Sequence, residues 1–111
     1  MKVIIPEVNV KEKLKDLIKR AFLQDLETKG IAAIEDVGYR VMLWLFWSIA
    51  RGELPQLNLR DKEFIKNVIE PIAIEVLKEF IEKGFEVKYY TGDKLRKIYW
   101  WGISGTVKKK V

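Results

Sequence analysis

A chain of 111 residues with 49% apolar and 12% aromatic side chains is one domain with a core rather than a disordered segment. It has no Cys and no His, which excludes disulfides, thiol nucleophiles, Cys/His zinc centres and imidazole acid–base catalysis. The net charge of +5 is unevenly placed: residues 1–82 hold 13 basic and 14 acidic side chains, whereas residues 83–111 hold 8 basic and 2 acidic ones, an asymmetry that points to an anionic partner. Lys and Glu number 16 and 11 against only 3 Asn and 2 Gln, the compositional pattern of proteins that work hot.

In chain order, residues 2–8 read as a short extended segment that Pro6 limits to an edge position, and its apolar run, Val3–Ile5, is too brief for a secretory signal. Asn9 reads as a helix cap, with Glu12 completing a capping box. Leu14, Leu17, Ile18, Ala21, Phe22 and Leu26 then share one helical face up to Gly30. A second helix is predicted over 31–51, with Asp36 and Arg40 at ion-pair spacing. Its second half, Val41 to Trp47, is apolar in every direction and must therefore be covered in every direction. The longest apolar stretch, Val41–Ala50, is interrupted by Ser48, and ten residues of helix reach about 15 Å, half of a bilayer core, so this is no membrane span. In a small domain the run exceeds what neighbouring helices cover, which predicts a homodimer with Trp44 and Trp47 in its interface. Asn58 reads as the cap of a third helix extending to Gly84, kinked or split at Pro71.

Beyond Gly84 the period changes to two. Centring a tight turn on Gly92-Asp93 pairs Lys88 with Lys97, Glu86 with Tyr99 and Phe85 with Trp100. One face of this hairpin then carries Lys88, Tyr90, Lys97, Tyr99 and Trp101, with Lys94, Arg96 and Lys108–Lys110 extending the positive field. Aromatic platforms interleaved with cations suit single-stranded nucleic acid, so Lys88, Tyr90, Lys94, Lys97, Tyr99 and Trp101 are the candidate contacts. The same residues also suit a plainer role, since lysines guard exposed strands and Tyr and Trp are enriched in strands and interfaces.

The order Glu82-Lys83-Gly84-Phe85 followed by a basic hairpin resembles the end of a winged-helix domain over the last 45 or so residues. That resemblance implies a DNA-reading helix before the wing. The polar positions of that helix are Glu70, Glu75, Lys78, Glu79, Glu82 and Lys83, four acids to two bases, and a groove-reading helix needs the reverse balance.

For catalysis, Glu35, Asp36 and Glu70 are the carboxylates nearest apolar surroundings, but none has a partner at diagnostic spacing. No catalytic, metal-binding or cofactor-binding residue is predicted, and no cofactor. The expectation is an α+β domain: three helices on a C-terminal antiparallel hairpin, extended to three strands if Val3–Ile5 joins. The expected protein is a small, cytoplasmic, non-enzymatic homodimer acting through protein contacts, from a thermophile or its mobile elements, with no membrane association. Single-stranded nucleic-acid binding through the hairpin is the alternative.

Overall fold

The computed structural model describes residues 7–110. Helix α1 spans Glu7–Lys29, strand β1 Ile31–Ala33 and helix α2 Ile34–Ala50. A short helix α3, Lys62–Phe64, continues through a π turn, Ile65–Ile69, into α4, Glu70–Glu82. Strand β2, Glu86–Thr91, a one-and-a-half-turn helix α5, Asp93–Ile98, and strand β3, Ile103–Lys108, complete the chain. The architecture is α+β, with helices packed on a three-stranded antiparallel sheet of order β1-β3-β2. The third strand of that sheet comes from Ile31–Ala33; the segment Val3–Ile5 lies outside the described residues.

The first helix buries the face expected of it, Leu14, Leu17, Ile18, Ala21, Phe22 and Leu26. It begins earlier than expected, so Asn9 lies inside it rather than capping it. Asn58 is likewise not the cap of the third helical segment. Its Oδ1 accepts from the Arg60 N–H in a local turn, and Asp61 accepts from the N–H groups of Glu63 and Phe64. At Pro71 the helix continues, with the π turn immediately before it. Proline offers no N–H to the carbonyl four residues back, and the wider i→i+5 spacing of a π turn is one way a helix accommodates that loss.

The expected tight hairpin takes a different form. Gly92 and Asp93 open α5 instead of forming a two-residue turn, and the returning strand starts at Ile103. Tyr90 therefore pairs with Ser104 and Lys88 with Thr106, not with Leu95 and Lys97. Asp93–Ile98, expected to hold the end of the turn and the start of the returning strand, also tolerates a helix, with Leu95 and Ile98 three residues apart, and two tertiary attachments decide between them. Arg96 is held by buried Glu70, and the two tryptophans that follow go into the core.

Those tryptophans organise the interior. Trp101 is fully buried and donates its indole N–H to the Ile34 carbonyl at the start of α2, 3.1 Å away. Its ring lies against Gly38, where even a Cβ would overlap the indole nitrogen. Trp101 also stacks near Phe22, centroids 6.4 Å apart, and Phe22 meets Phe80 edge-on at 5.8 Å. Trp100 donates to the Leu59 carbonyl at 2.9 Å and thereby ties down the 51–61 connection. On the sheet, Gly105 adopts a positive φ of 139° opposite Tyr89, and a side chain there would collide with the Lys88 carbonyl.

Charge reinforces the packing of α1 on α4. Glu79 bonds both Lys15 and Lys19; the two ammonium groups hold its carboxyl down to about 2, and it in turn raises the Lys15 ammonium above its ordinary value. Arg40 does not take Asp36 as its partner. It pairs with Asp25 of α1 at 2.9 Å, because that buried carboxylate must be neutralised where Asp36 is solvated.

Two outcomes test this picture. An Ala in a helix interior ordinarily stabilises relative to Gly by about 0.5–1 kcal/mol. Gly38→Ala is expected to reverse that sign and cost about 1–3 kcal/mol in urea unfolding, because Trp101 must leave its seat. For Glu79, a folded-state value below the ordinary 4.5 means stabilisation that is full above that value and lost as pH falls toward about 2. Glu79→Gln is expected to flatten the pH dependence of the melting temperature across that interval.

Candidate interaction surface

Helix α2 has two unlike sides. Ile34, Val37, Gly38, Val41, Leu45 and Ser48 face inward. Tyr39, Leu43, Phe46 and Trp47 face outward and are exposed, at i, i+4, i+7 and i+8, with small Ala50 continuing the line. Trp47 is 62% exposed and Leu43 53%. Of the two tryptophans expected to be at an interface, Trp47 is thus on the surface, while Trp44 is half-buried against the core. The covering expected for the whole Val41–Trp47 run is supplied by the chain itself on one side only.

The local sequence explains where this helix lies. Glu35 and Asp36 occupy its first turn, where negative charge complements the helix dipole. Glu35 also accepts from the Ser104 hydroxyl at 3.0 Å and from the Gly105 N–H at 3.4 Å, which pins the start of α2 to β3. Trp101 fixes the next turn. With those points held, residues 39, 43, 46 and 47 have no option but to face away from α1 and the sheet.

The stripe continues at its N-terminal end into Ile98 of α5, 65% exposed, whose carbonyl accepts from the Tyr39 hydroxyl at 3.3 Å. At its other end it is flanked by hollows. One, of about 210 Å³, lies among Leu17, Arg20, Trp44, Trp47, Ser48 and Arg51. Another, of about 290 Å³, lies between Phe46 and residues 56–60. Charge is confined to the margins, with Asp36 beside the first turn of the stripe and Arg51 just past its last.

The basic aromatic face expected of the hairpin is not assembled. Lys88 and Tyr90 are exposed on the outer face of β2. Lys94 and Lys97 are exposed on α5, Tyr99 is half-buried after it, and Trp101 is in the core and unavailable for stacking. Arg96 leaves the positive field altogether. Its Nε and Nη2 donate to the Glu70 carboxylate at 2.9 and 2.6 Å, and Nη1 bonds Asp93 at 2.6 Å. Glu70 in turn accepts from the Gly102 N–H at 2.9 Å, and its partnership raises the Arg96 guanidinium above its ordinary value. The carboxylate singled out in the sequence at the helix break is therefore a tether between α4, α5 and β3. Sequence spacing gave no sign of it, because the partner is 26 residues away. Leu43 and Phe46 are equally unresolved within an apolar run that points every way at once, and Tyr39 lies just ahead of it, beyond Arg40.

Among the described residues no cluster of three acids is placed to hold a metal, and no helix is long and apolar enough to cross a membrane. What the surface offers is burial of apolar area. Fully covering a side chain of the Leu or Phe class contributes about 1.5–3 kcal/mol, and the stripe presents four large ones.

Removing one partner of a buried pair leaves the other charge uncompensated, at a cost of about 3–5 kcal/mol. Glu70→Ala is expected to destabilise by less than that, about 1–3 kcal/mol, because Arg96 keeps Asp93 on its Nη1. Glu70→Ala combined with Arg96→Met should lose less than Glu70→Ala alone, as read by urea unfolding of the single and double variants. No protein-family model matches this chain, and neither a curated protein nor a solved structure shows significant similarity to it.

Proposed function

We propose that this chain is a homo-oligomeric interaction protein, acting through protein contacts rather than catalysis, and that α2 is its self-association surface. The observation that carries this reading is the charge-free line Tyr39, Leu43, Phe46 and Trp47, exposed on a helix whose opposite side is sealed into the core. Its symmetry favours a second copy as the occupant. Two α2 helices packed antiparallel about Leu43 set Tyr39 against Trp47 of the partner subunit and bring Asp36 near Arg51 of the partner subunit. Both ends of the contact then match apolar with apolar and acid with base. A standard interface takes about 800 Å² from each partner, a small share of the 7156 Å² surface of this chain. The flanking hollows supply concave room for the large rings. The nucleic-acid alternative lacks comparable support, since its central ring is buried and its cations are divided between β2 and α5.

Trp47→Glu tests the proposal by sedimentation equilibrium. Because Trp47 is exposed, the variant is expected to keep its melting temperature. A central aromatic anchor is worth about 2 kcal/mol or more, so association through this face should weaken at least about thirtyfold and the mass in solution should fall. A variant with undiminished mass overturns the assignment.

A further inference from the structure

The sheet ends in an open strand. In the order β1-β3-β2, β3 is paired on both sides, while β2 is six residues long and has no strand beyond it among the described residues. Its inward side chains are incompletely covered. Phe85, Val87 and Tyr89 are only half-buried, whereas Ile103 and Val107 on the neighbouring strand are fully buried. Glu86, Lys88 and Tyr90 point outward and are exposed.

The sequence along this edge is chemically symmetric about Val87: Phe85, Glu86, Val87, Lys88, Tyr89, which reads aromatic, acid, aliphatic, base, aromatic. A second copy of the same strand, antiparallel and centred on Val87, therefore finds a partner at every position. Glu86 meets Lys88 of the partner subunit and Lys88 meets Glu86 of the partner subunit, both on the outer face. On the inner face Val87 meets its own copy and Phe85 meets Tyr89 of the partner subunit, covering the surface that β2 leaves half-open. Neighbouring registers fail. Centring on Lys88 or Glu86 opposes like charges, and a one-residue slip turns the apolar side outward.

Charged residues on an edge strand deter pairing with foreign strands. Here the order of the charges admits one partner. We infer that β2 is a second self-association site, at which two copies join edge to edge into a continuous six-stranded antiparallel sheet of order β1-β3-β2-β2-β3-β1. This surface is separate from α2. A chain with two different two-fold contacts assembles into a closed particle of dihedral symmetry, four subunits in the simplest case, or into an open filament.

The test is made in the full-length Trp47→Glu protein, where the α2 contact is disabled. Its concentration-dependent mass is measured by sedimentation equilibrium alongside its melting curve. The Trp47→Glu protein should dimerise. Adding Lys88→Glu should raise the dissociation constant about tenfold or more, and adding Glu86→Lys should do the same, since each turns two attractive pairs into two repulsive ones. Combining Glu86→Lys with Lys88→Glu restores opposite charges and should restore the dimer. An equimolar mixture of the two singly charge-altered proteins should form a mixed dimer that neither forms alone. The inference is overturned if Trp47→Glu is monomeric throughout, if the single reversals leave its mass unchanged, or if the charge exchange fails to rescue a folded protein. A monomer whose outer β2 amides resist hydrogen exchange would also overturn it, by showing that a segment of the same chain, such as Val3–Ile5, occupies the edge. Failure of the α2 assignment reads out separately, as equal masses for wild type and Trp47→Glu.

Discussion

The indole of Trp101 needs a seat that only a missing side chain provides. It lies flat against Gly38 and reaches the Ile34 carbonyl, one turn earlier on the same helix. This single contact sets the distance between α2 and β3, and through it the depth at which the sheet rests on the helices. The ring then passes its position on through other rings. Trp100 lies 6.0 Å to one side, Phe22 to the other, and Phe80 and Phe85 extend the chain of aromatics to the point where α4 hands over to β2. Interiors packed at crystal density transmit such constraints rather than absorb them. The orientation of α2, and with it the direction in which Tyr39, Leu43, Phe46 and Trp47 face, follows from where that indole sits.

A second attachment acts on the same segment from the other side. Glu70 is buried at the start of α4 and is stabilised there by the fork of Arg96 and the Gly102 N–H. A charge-assisted bidentate pair is directional as well as strong, so it fixes the rotation of α5 and not merely its proximity. Between Arg96 and Trp101 there are only four residues, and both ends are held. The Tyr99–Gly102 stretch has little freedom left, and β3 enters the sheet in a register that could not have been reached through a two-residue turn.

Much of the fold is legible in the sequence because it depends on periodicity within single elements. The buried face of α1, the apolar density of α2, the long amphipathic run ending at Gly84 and the change of period after it all follow from spacing along the chain. Residues 93–103 are the opposite case. Leu95, Lys97, Tyr99 and Trp101 would share one face of a strand, but Leu95 and Ile98 keep helical spacing as well, and the deciding partners are Glu70, Gly38 and Ile34, far away in sequence. The same reasoning separates Trp44 from Trp47. An unbroken apolar run reveals that a helix is buried on more than one side, yet it does not reveal which third the chain leaves bare. Asp25 and Arg40 illustrate the point for charge: spacing offered Asp36, and desolvation selected Asp25.

The sheet has its latest-made strand at its centre. β1 and β2 pair with β3 and not with each other, so among the described residues neither has a strand partner until Ile103–Lys108 has been made. During translation the residues that seat the indole, Gly38 and Phe22, are made well before Trp101 itself. Closure is a single late event in which Trp100, Trp101 and β3 arrive together. Completion of the sheet and filling of the core thus wait on the same short stretch, Trp100–Lys108, and are not independent of each other.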